Sequence, residues 1–321
     1  MRLLKTALLR TSLPLRNGEV DLLDRSEAIE FTVASGCEGM TCGDFLRQCG
    51  VSRRLVTKLK RVPMGITRRD ELIRTIDTVQ AGDVIRLKKL DESLLEPNGS
   101  LSVPVAYEDE NLVIFNKPAG MPVHPSIKHQ GDTLGNCFSA MYPQLTFRPI
   151  NRLDKDTSGL CAVAKSAHSA NVYGGKIDKV YFAVTEGVPI PKKINGGIEW
   201  TENGGVYRID APIGRAGESI IRREVRSDGQ RAVTNYTIIK CTDSHSLVRV
   251  VLETGRTHQI RVHFSSVGHP LAGDDFYGGS LERCQVQALH CGEMSFPSAD
   301  GGTIRVNCPL REDMEHLVTV L

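Results

Sequence analysis

No run of about 18 apolar residues occurs in the chain, so no segment reads as a membrane-spanning helix. The nine cysteines contain no Cys-x-x-Cys pair. Cys37, Cys42 and Cys49 lack zinc-ribbon spacing, and Cys284, His290 and Cys291 are too few ligands for a convincing metal centre. No metal is therefore expected, and thiols scattered in this way suit a reducing compartment. Net charge is nearly absent as well, +2 from 40 basic and 38 acidic residues. The overall balance names no partner, and only the local distribution of charge can. There is no internal repeat. What remains is 321 residues, 40% hydrophobic and 24% charged. That is an ordinary soluble composition, long enough for one large domain and one small one.

Residues 1–29 read as an N-terminal extension. Arg2, Lys5, Arg10 and Arg16 appear there before any acid, and Glu19, Asp21 and Asp24 follow at once. A short basic arm of a cytoplasmic protein is the expectation, with an organellar matrix the alternative if residues 1–16 serve as a transit peptide.

Residues 30–90 read as an independent module. Glu30 to Val33 alternates like a strand. Thr41 with Asp44 three residues on forms a capping-box pattern, Phe45, Leu46 and Cys49 give that helix an apolar side, and Gly50 stops it. Ser52 caps a second helix from Arg53 to about Arg61. Its apolar stripe is Leu55, Val56 and Leu59, and its other face carries Arg53, Arg54, Lys58, Lys60 and Arg61. Gly82-Asp83 turns the chain into a strand from Val84 to Lys88. A helix with five positive and no negative side chains neutralises phosphates whatever their sequence. The order of elements resembles the small alpha-L RNA-binding module first seen in a ribosomal small-subunit protein. It departs from that pattern after the basic helix, where Val62-Pro63-Met64-Gly65-Ile66 replaces an Asn-Gly turn.

Residues 91–102, with Pro97, Asn98, Gly99 and Ser100, read as a linker, and residues 103–321 as the second domain. Short strands outnumber helices there: Val113 to Phe115, Leu160 to Ala164, Val180 to Thr185, Val233 to Lys240 and Ser246 to Leu252. Thr257 can cap a helix to about Val267, with Ile260, Phe264 and Val267 inward and Gly268 as its stop. The expected fold class is α+β with a mixed, largely antiparallel sheet.

Three blocks carry chemistry. Asn151 to Leu160 places Asp154 at a strand end, before a polar turn in which Asp156 and Ser158 have the turn-forming roles. Lys179-Val180-Tyr181 sits in a strand whose alternation puts Tyr181 opposite Val180, Phe182 and Val184. Arg256-Thr257-His258-Gln259-Ile260-Arg261-Val262-His263 opens the last long helix. In this order the blocks resemble the RluA-type RNA pseudouridine synthases, which isomerise uridine to pseudouridine without a cofactor.

The resemblance implies that Asp154 is the catalytic carboxylate, acting as nucleophile on the sugar or as base at its neighbouring carbon. Tyr181 would stack on the uracil or relay a proton. Arg256 would pair with Asp154 through its planar fork. Arg152 would fill the stack vacated by a flipped base and Leu289 would pack on the uracil. The block Asn116 to Pro125 matches a family signature and reads as mostly structural, with Lys117 near backbone phosphate as the further reading. His258 and Gln259 anchor the helix start, Arg261 is phosphate-facing or structural, and His263 is structural. The implied partner is RNA, ribosomal RNA of the large subunit ahead of transfer RNA, and the default oligomeric state is a monomer. One departure stands out: Asn151 occupies a position where the family has histidine, and it cannot carry charge. Two other readings are weaker. A silent RNA binder on the same scaffold would have no use for Asp154, Tyr181 and Arg256 together. A glycosidase-like hydrolase would need a second carboxylate, and no motif supplies one.

Overall fold

The computed structural model describes residues 28–88, 95–126, 128–192, 198–298 and 301–319, with the backbone alone for Arg54. The basic arm of residues 1–16 lies outside them. The chain divides into two compact units, Met1–Glu92 and Ser93–Leu321.

In the first unit, β1 (Ala28–Thr32), β2 (Ile66–Arg68), β3 (Glu71–Leu72) and β4 (Val84–Lys88) form an antiparallel sheet in the order β1-β4-β2-β3. The helices are α1 (Cys42–Gln48) and α2 (Arg53–Leu59). Both expected caps are made. Thr41 Oγ1 accepts from the Asp44 amide at 3.2 Å, and Ser52 Oγ from the Leu55 amide at 3.2 Å. Phe45, Leu46, Leu59, Ile66, Ile85 and Leu87 close a core between helices and sheet. Each such side chain is worth about 1.5–3 kcal/mol of burial. The turn after α2 works without Asn-Gly. Met64 adopts a left-handed φ of 54°, and a Cβ on Gly65 would lie 2.2 Å from the Leu59 carbonyl oxygen, so only glycine fits there.

The second unit begins earlier than the sequence suggests. Residues 95–102, expected as linker, are bound into it: the Asn98 side chain donates to the Gly131 carbonyl at 2.7 Å, and its backbone amide to that of Asn136 at 3.1 Å. The strands are β5 (Val105–Glu108), β6 (Leu112–Lys117), β7 (Arg148–Pro149), β8 (Ser158–Ala164), β9 (Asp178–Glu186), β10 (Glu199–Asn203) and β11 (Val206–Asp210). They continue with β12 (Ile213–Arg215), β13 (Arg223–Val225), β14 (Val233–Cys241), β15 (His245–Leu252), β16 (Leu289–Pro297) and β17 (Thr303–Asn307). The helices are α3 (Leu134–Met141), α4 (Ala167–Tyr173), α5 (Gln259–Ser266) and α6 (Glu312–Leu317).

The main sheet runs β10-β11-β14-β15-β9-β16-β8-β6-β5, with β17 on β16 and β7 on β8. Every pairing is antiparallel except β8 with β16. This is the mixed, largely antiparallel α+β architecture expected. All seven residues of β8 are buried, as are Leu112 to Phe115 of β6. A continuous apolar run marks a strand covered on both faces. Where β8 begins it runs against β16 so closely that a Cβ on Gly159, at φ +102°, would meet the Cys291 carbonyl oxygen at 2.3 Å. Among the described residues no helix is long and apolar enough to cross a membrane.

Two buried histidines join the layers. The His263 ring on α5 bonds the Ala211 carbonyl and Thr234 Oγ1, both at 2.9 Å. The carbonyl can only accept, so Nε2 carries the proton and Nδ1 accepts from the threonine. His290 bonds Ser158 Oγ at 2.8 Å and Cys308 Sγ at 3.1 Å. Burial pushes both pKa values down to about 4, helped at His290 by the charge of Arg311. An unfolded histidine titrates near 6.5. Between pH 6.5 and 4 the unfolded chain therefore binds protons that the folded one refuses, and stability falls as pH falls. The expected loss is about 3 kcal/mol per histidine across that window. Trp200 is the single tryptophan and lies in the second unit, so urea melts followed by its fluorescence report this unit. His263→Gln should remove its share of the slope. A midpoint independent of pH in the parent protein would contradict the assignment.

Candidate active site

The cleft lies at the middle of the large sheet, and the parallel pairing places it there. Because β8 and β16 run the same way, the loop entering β8 and the first residue of β16, Leu289, share one end. β9 runs antiparallel to β16, with Tyr181 opposite Cys291 and Ala183 opposite Leu289. Asp154, Tyr181, Leu289, Arg152, Arg256, His258 and Arg261 line one cleft with Leu252 and Thr157. The three blocks of the sequence thus converge.

Asp154 sits in the turn before β8, its side chain 30% exposed. One oxygen receives Arg261 Nη1 at 3.1 Å and lies 3.7 Å from His258 Nε2. Arg261 is itself nearly buried. Its Nε and Nη2 both reach Asp274, at 2.7 and 2.8 Å, and Asp274 is 1% exposed. The guanidinium also lies 4.9 Å from the centre of the Tyr277 ring. Burial opposes the charge on Arg261, but the Asp274 and Asp154 carboxylates outweigh it and raise the pKa. A fork held at two donors by a buried carboxylate has its third donor aimed, and that donor points at Asp154.

This corrects the expected pairing. Arg256 is exposed and donates from Nε to the Arg231 carbonyl at 3.0 Å. It lines the cleft without touching Asp154. Thr257 does not cap α5 either. His258 occupies the cap position at φ 56° without a capping side chain. That left-handed backbone is strained by about 1–2 kcal/mol for a side chain other than glycine. It is held by a 2.8 Å bond from His258 Nδ1 to the Tyr277 hydroxyl. Gln259 anchors the start, as expected. Its Oε1 accepts from Thr254 Oγ1 and the Arg256 amide, and its Nε2 donates to the Val233 carbonyl and Thr234 Oγ1.

Tyr181 is buried on the cleft face of β9. Burial first, then the neighbouring Cys291, Cys161 and Asp154, raise its pKa well above the usual phenol range. It remains a neutral hydroxyl at physiological pH, able to donate a hydrogen bond or present its ring.

Lys117 is enclosed within the second unit, in keeping with the structural reading of its block. It is 0% exposed, and its Nζ donates to the carbonyls of Pro118, Met121 and Lys155 at 2.8, 2.7 and 2.9 Å. Burial lowers its pKa to about 8. It pins the turn one residue after Asp154. Asn151 pins the same turn from the other side, its Oδ1 accepting from the Ala162 amide at 2.8 Å and its Nδ2 donating to the Leu160 carbonyl at 3.3 Å. Asp274 and Tyr277 have no role in the sequence reading. The signal present is the polar-aromatic run Asp274-Asp275-Phe276-Tyr277 between glycines. Among the described residues no cluster of three His, Cys, Asp or Glu side chains could hold a metal ion.

A family model described as RNA pseudouridylate synthase matches residues 111–266. YjbO of Bacillus subtilis (strain 168), described as an uncharacterized RNA pseudouridine synthase, is 33% identical over 291 residues, 87% of this chain and 98% of that protein. Ribosomal large subunit pseudouridine synthase D of Pseudomonas aeruginosa is 35% identical over 276 residues, 78% of this chain and 82% of that protein. This chain belongs to the RNA pseudouridine synthase family. It is of the RluA type. The solved human RNA pseudouridylate synthase domain containing 4 superimposes with a TM-score of 0.51 at 25% identity, covering 66% of this chain and 90% of that one. Human RNA pseudouridylate synthase domain containing 1 gives 0.52 at 24% identity, covering 67% and 86%, a likeness of fold.

The matched region of the synthase contains Asp154, Tyr181 and both arginines, while Asp274, Tyr277 and Leu289 lie beyond it. Geometry separates the two arginines. Arg261→Lys keeps the charge but loses the fork, and should lower kcat by about 100-fold, the effect of misplacing a reacting group by about 1 Å. Arg256→Ala should act on KM instead. Tritium release from 5-tritiated uridine in RNA measures both. Equal kcat losses in the two variants would return the pairing role to Arg256.

Proposed function

We propose that this synthase converts specific uridines of large-subunit ribosomal RNA to pseudouridine, with Asp154 as the catalytic carboxylate acting on a base flipped into the cleft. The observation that carries the reading is the Asp154–Arg261–Asp274 chain facing Tyr181 and Leu289 in a single cleft. Among the described residues, the Asp154 carboxylate is the one acidic group lining that cleft. It serves as nucleophile at the anomeric carbon or as base at the neighbouring carbon, and both routes use the same placement. The neutral Tyr181 hydroxyl fits beneath a uracil and can deliver or hold a proton as the base re-attaches through carbon. Leu289 offers an apolar contact to its face. Arg152, exposed beside Asp154 on the cleft rim, is placed to occupy the gap left in a stem, since flipping costs a few kcal/mol that a stand-in partly restores. Ribosomal RNA of the large subunit is favoured because the Pseudomonas relative is named for it.

The first unit is read as an alpha-L RNA-binding module. Arg53, Lys58, Lys60 and Arg61 are exposed on and just after α2, and none meets a carboxylate among the described residues. Arg53, Lys58 and Arg61 line one shallow hollow with Thr57, a suitable seat for backbone phosphate. Arg54 belongs to the same basic face by sequence. The chain is proposed to act as a monomer without a cofactor.

Pseudouridine mapping of total RNA from cells lacking the gene, rescued with the parent protein or with Asp154→Ala, tests the reading. Sites lost in the deletion should return only with the parent protein, and they name the RNA. Asp154→Ala should bind RNA with affinity within about twofold of the parent. Turnover by that variant would exclude Asp154 as the catalytic group. Neutralising Arg53, Arg54, Lys58 and Lys60 together should lower the slope of log affinity against log salt by about 3, at 0.7–0.9 per phosphate contact. An unchanged slope would mean that α2 does not touch RNA.

A further inference from the structure

β8 and β16 pair through two residue pairs, His290 with Ser158 and Cys291 with Gly159. So short a ladder sets the direction of the strands but holds the residues at its mouth weakly, because backbone pairing frays at its ends. Those residues are the ones that shape the cleft. Asp154 lies in the turn entering β8, Leu289 opens β16, and both line the cleft.

One residue holds both. Gln287, two positions ahead of β16, is 3% exposed. Its Nε2 donates to Thr157 Oγ1 at 2.8 Å. Thr157 is equally buried, directly precedes β8 and lines the cleft. Its amide donates to the Asp154 carbonyl at 3.2 Å. The Gln287 carbonyl accepts from the Leu289 amide at 2.8 Å, closing a three-residue turn that aims the first side chain of β16. Side chain and main chain of one glutamine therefore reach opposite walls of the cleft, although Gln287 itself does not line it.

Gln287 is in turn fixed from outside. Arg311, which precedes α6, gives Nε and Nη2 to the Asp313 carboxylate, both at 2.8 Å. Its remaining donor, Nη1, is thereby aimed at the Gln287 carbonyl, 3.2 Å away. On the next step of the ladder, Ser158 Oγ bonds His290 Nδ1 at 2.8 Å. Buried polar rungs thus extend the pairing past the last backbone bond.

A buried neutral pair such as Gln287 and Thr157 adds little to stability by itself, since two apolar groups of the same shape serve nearly as well. What an apolar pair cannot supply is direction. Burial is non-directional, whereas an N–H···O bond is confined in both length and angle.

We propose that Gln287 is a positioning residue for the reaction, setting the Asp154 turn against Leu289 so that carboxylate and apolar wall meet the uracil together. This rests on the cleft being a pseudouridine synthase site.

The test uses the full chain and tritium-labelled RNA from cells lacking the gene. Gln287→Met keeps the length of the side chain and loses the donor. It should lower kcat about 10- to 100-fold, the range of misplacing a reacting group by up to about 1 Å, with KM within about twofold. Thr157→Val should match it. Gln287→Met/Thr157→Val should be no slower than either single variant, because the same bond is lost in all three. Thr157→Ser keeps the hydroxyl and should stay within about threefold of the parent kcat. Urea melts followed by Trp200 separate positioning from packing. The double variant leaves no orphaned polar group, so its midpoint should recover relative to Gln287→Met, while kcat should not. A kcat that recovers with the midpoint, or a Gln287→Met enzyme at the parent rate, overturns the inference. A parent protein that releases no tritium overturns the synthase reading instead. Amide exchange across residues 154–160 then decides the role of Gln287. Faster exchange in Gln287→Met than in the parent upholds its hold on the turn, and equal exchange overturns it.

Discussion

Burying the Arg261 guanidinium between Asp154 and Asp274 is the constraint that the proposed active site depends on. A guanidinium taken out of water is tolerated only when its donors and charge are met, and the penalty otherwise is several kcal/mol. Asp274 meets two donors and is wholly buried, while Asp154 meets a third and stays 30% exposed. The asymmetry matters. The inner carboxylate is spent on structure, and the outer one keeps an open face toward the cleft. The same logic accounts for the start of α5. Helix and arginine can be placed this way only if the chain enters through a left-handed His258, and the Tyr277 hydroxyl and the four bonds of Gln259 keep it there.

The other wall of the cleft is fixed by backbone rather than by charge. The one parallel pairing in the sheet brings the loop before β8 beside the start of β16, at a separation only Gly159 permits. Lys117 then fills the space behind that loop with an amine donating to three carbonyls, one of them that of Lys155. Three carbonyls turned toward one buried point would otherwise need water or remain unsatisfied. The turn bearing Asp154 is thus held from behind by Lys117 and from the strand side by Asn151. Side chains locked by packing and hydrogen bonds in this way are the means by which a site keeps its geometry.

Local signals were legible in the sequence, and long-range ones were not. The Thr41 and Ser52 caps, the buried strand at Val113 to Phe115 and the stop at Gly268 all follow from nearest-neighbour chemistry. The convergence of Asp154, Tyr181 and Leu289 was legible only through family resemblance. The choice of arginine failed for a physical reason. Read from the chain alone, Arg256 and Arg261 are both bases near a helix start, and what selects Arg261 is Asp274, 13 residues on and brought back by the packing of Tyr277 against α5. Lys117 is a different case. The block around it reads as structural from the sequence, but no local pattern announces three carbonyls arriving from two segments. Residues 95–102 look like a linker by composition, yet Asn98 uses both its backbone and its side chain to join the second unit.

Asn151 stands where the family resemblance implies a histidine, and its geometry bears on whether the scaffold is silent. Its amide donates to one backbone carbonyl of β8 and accepts from one backbone amide there, so both ends of the side chain are engaged. It is buried, and none of those bonds reaches Asp154, Arg261 or His258. A residue so placed acts on how the turn is held and not on the charge near the proposed reacting centre, so the loss of a titratable ring there removes no proton donor from the cleft. Asp154 and Arg261 are hydrogen-bonded to one another in the cleft that Tyr181 also lines, an arrangement that a passive RNA binder would not require. An arginine aimed by a buried carboxylate at an exposed one favours a catalytic reading over one of binding alone.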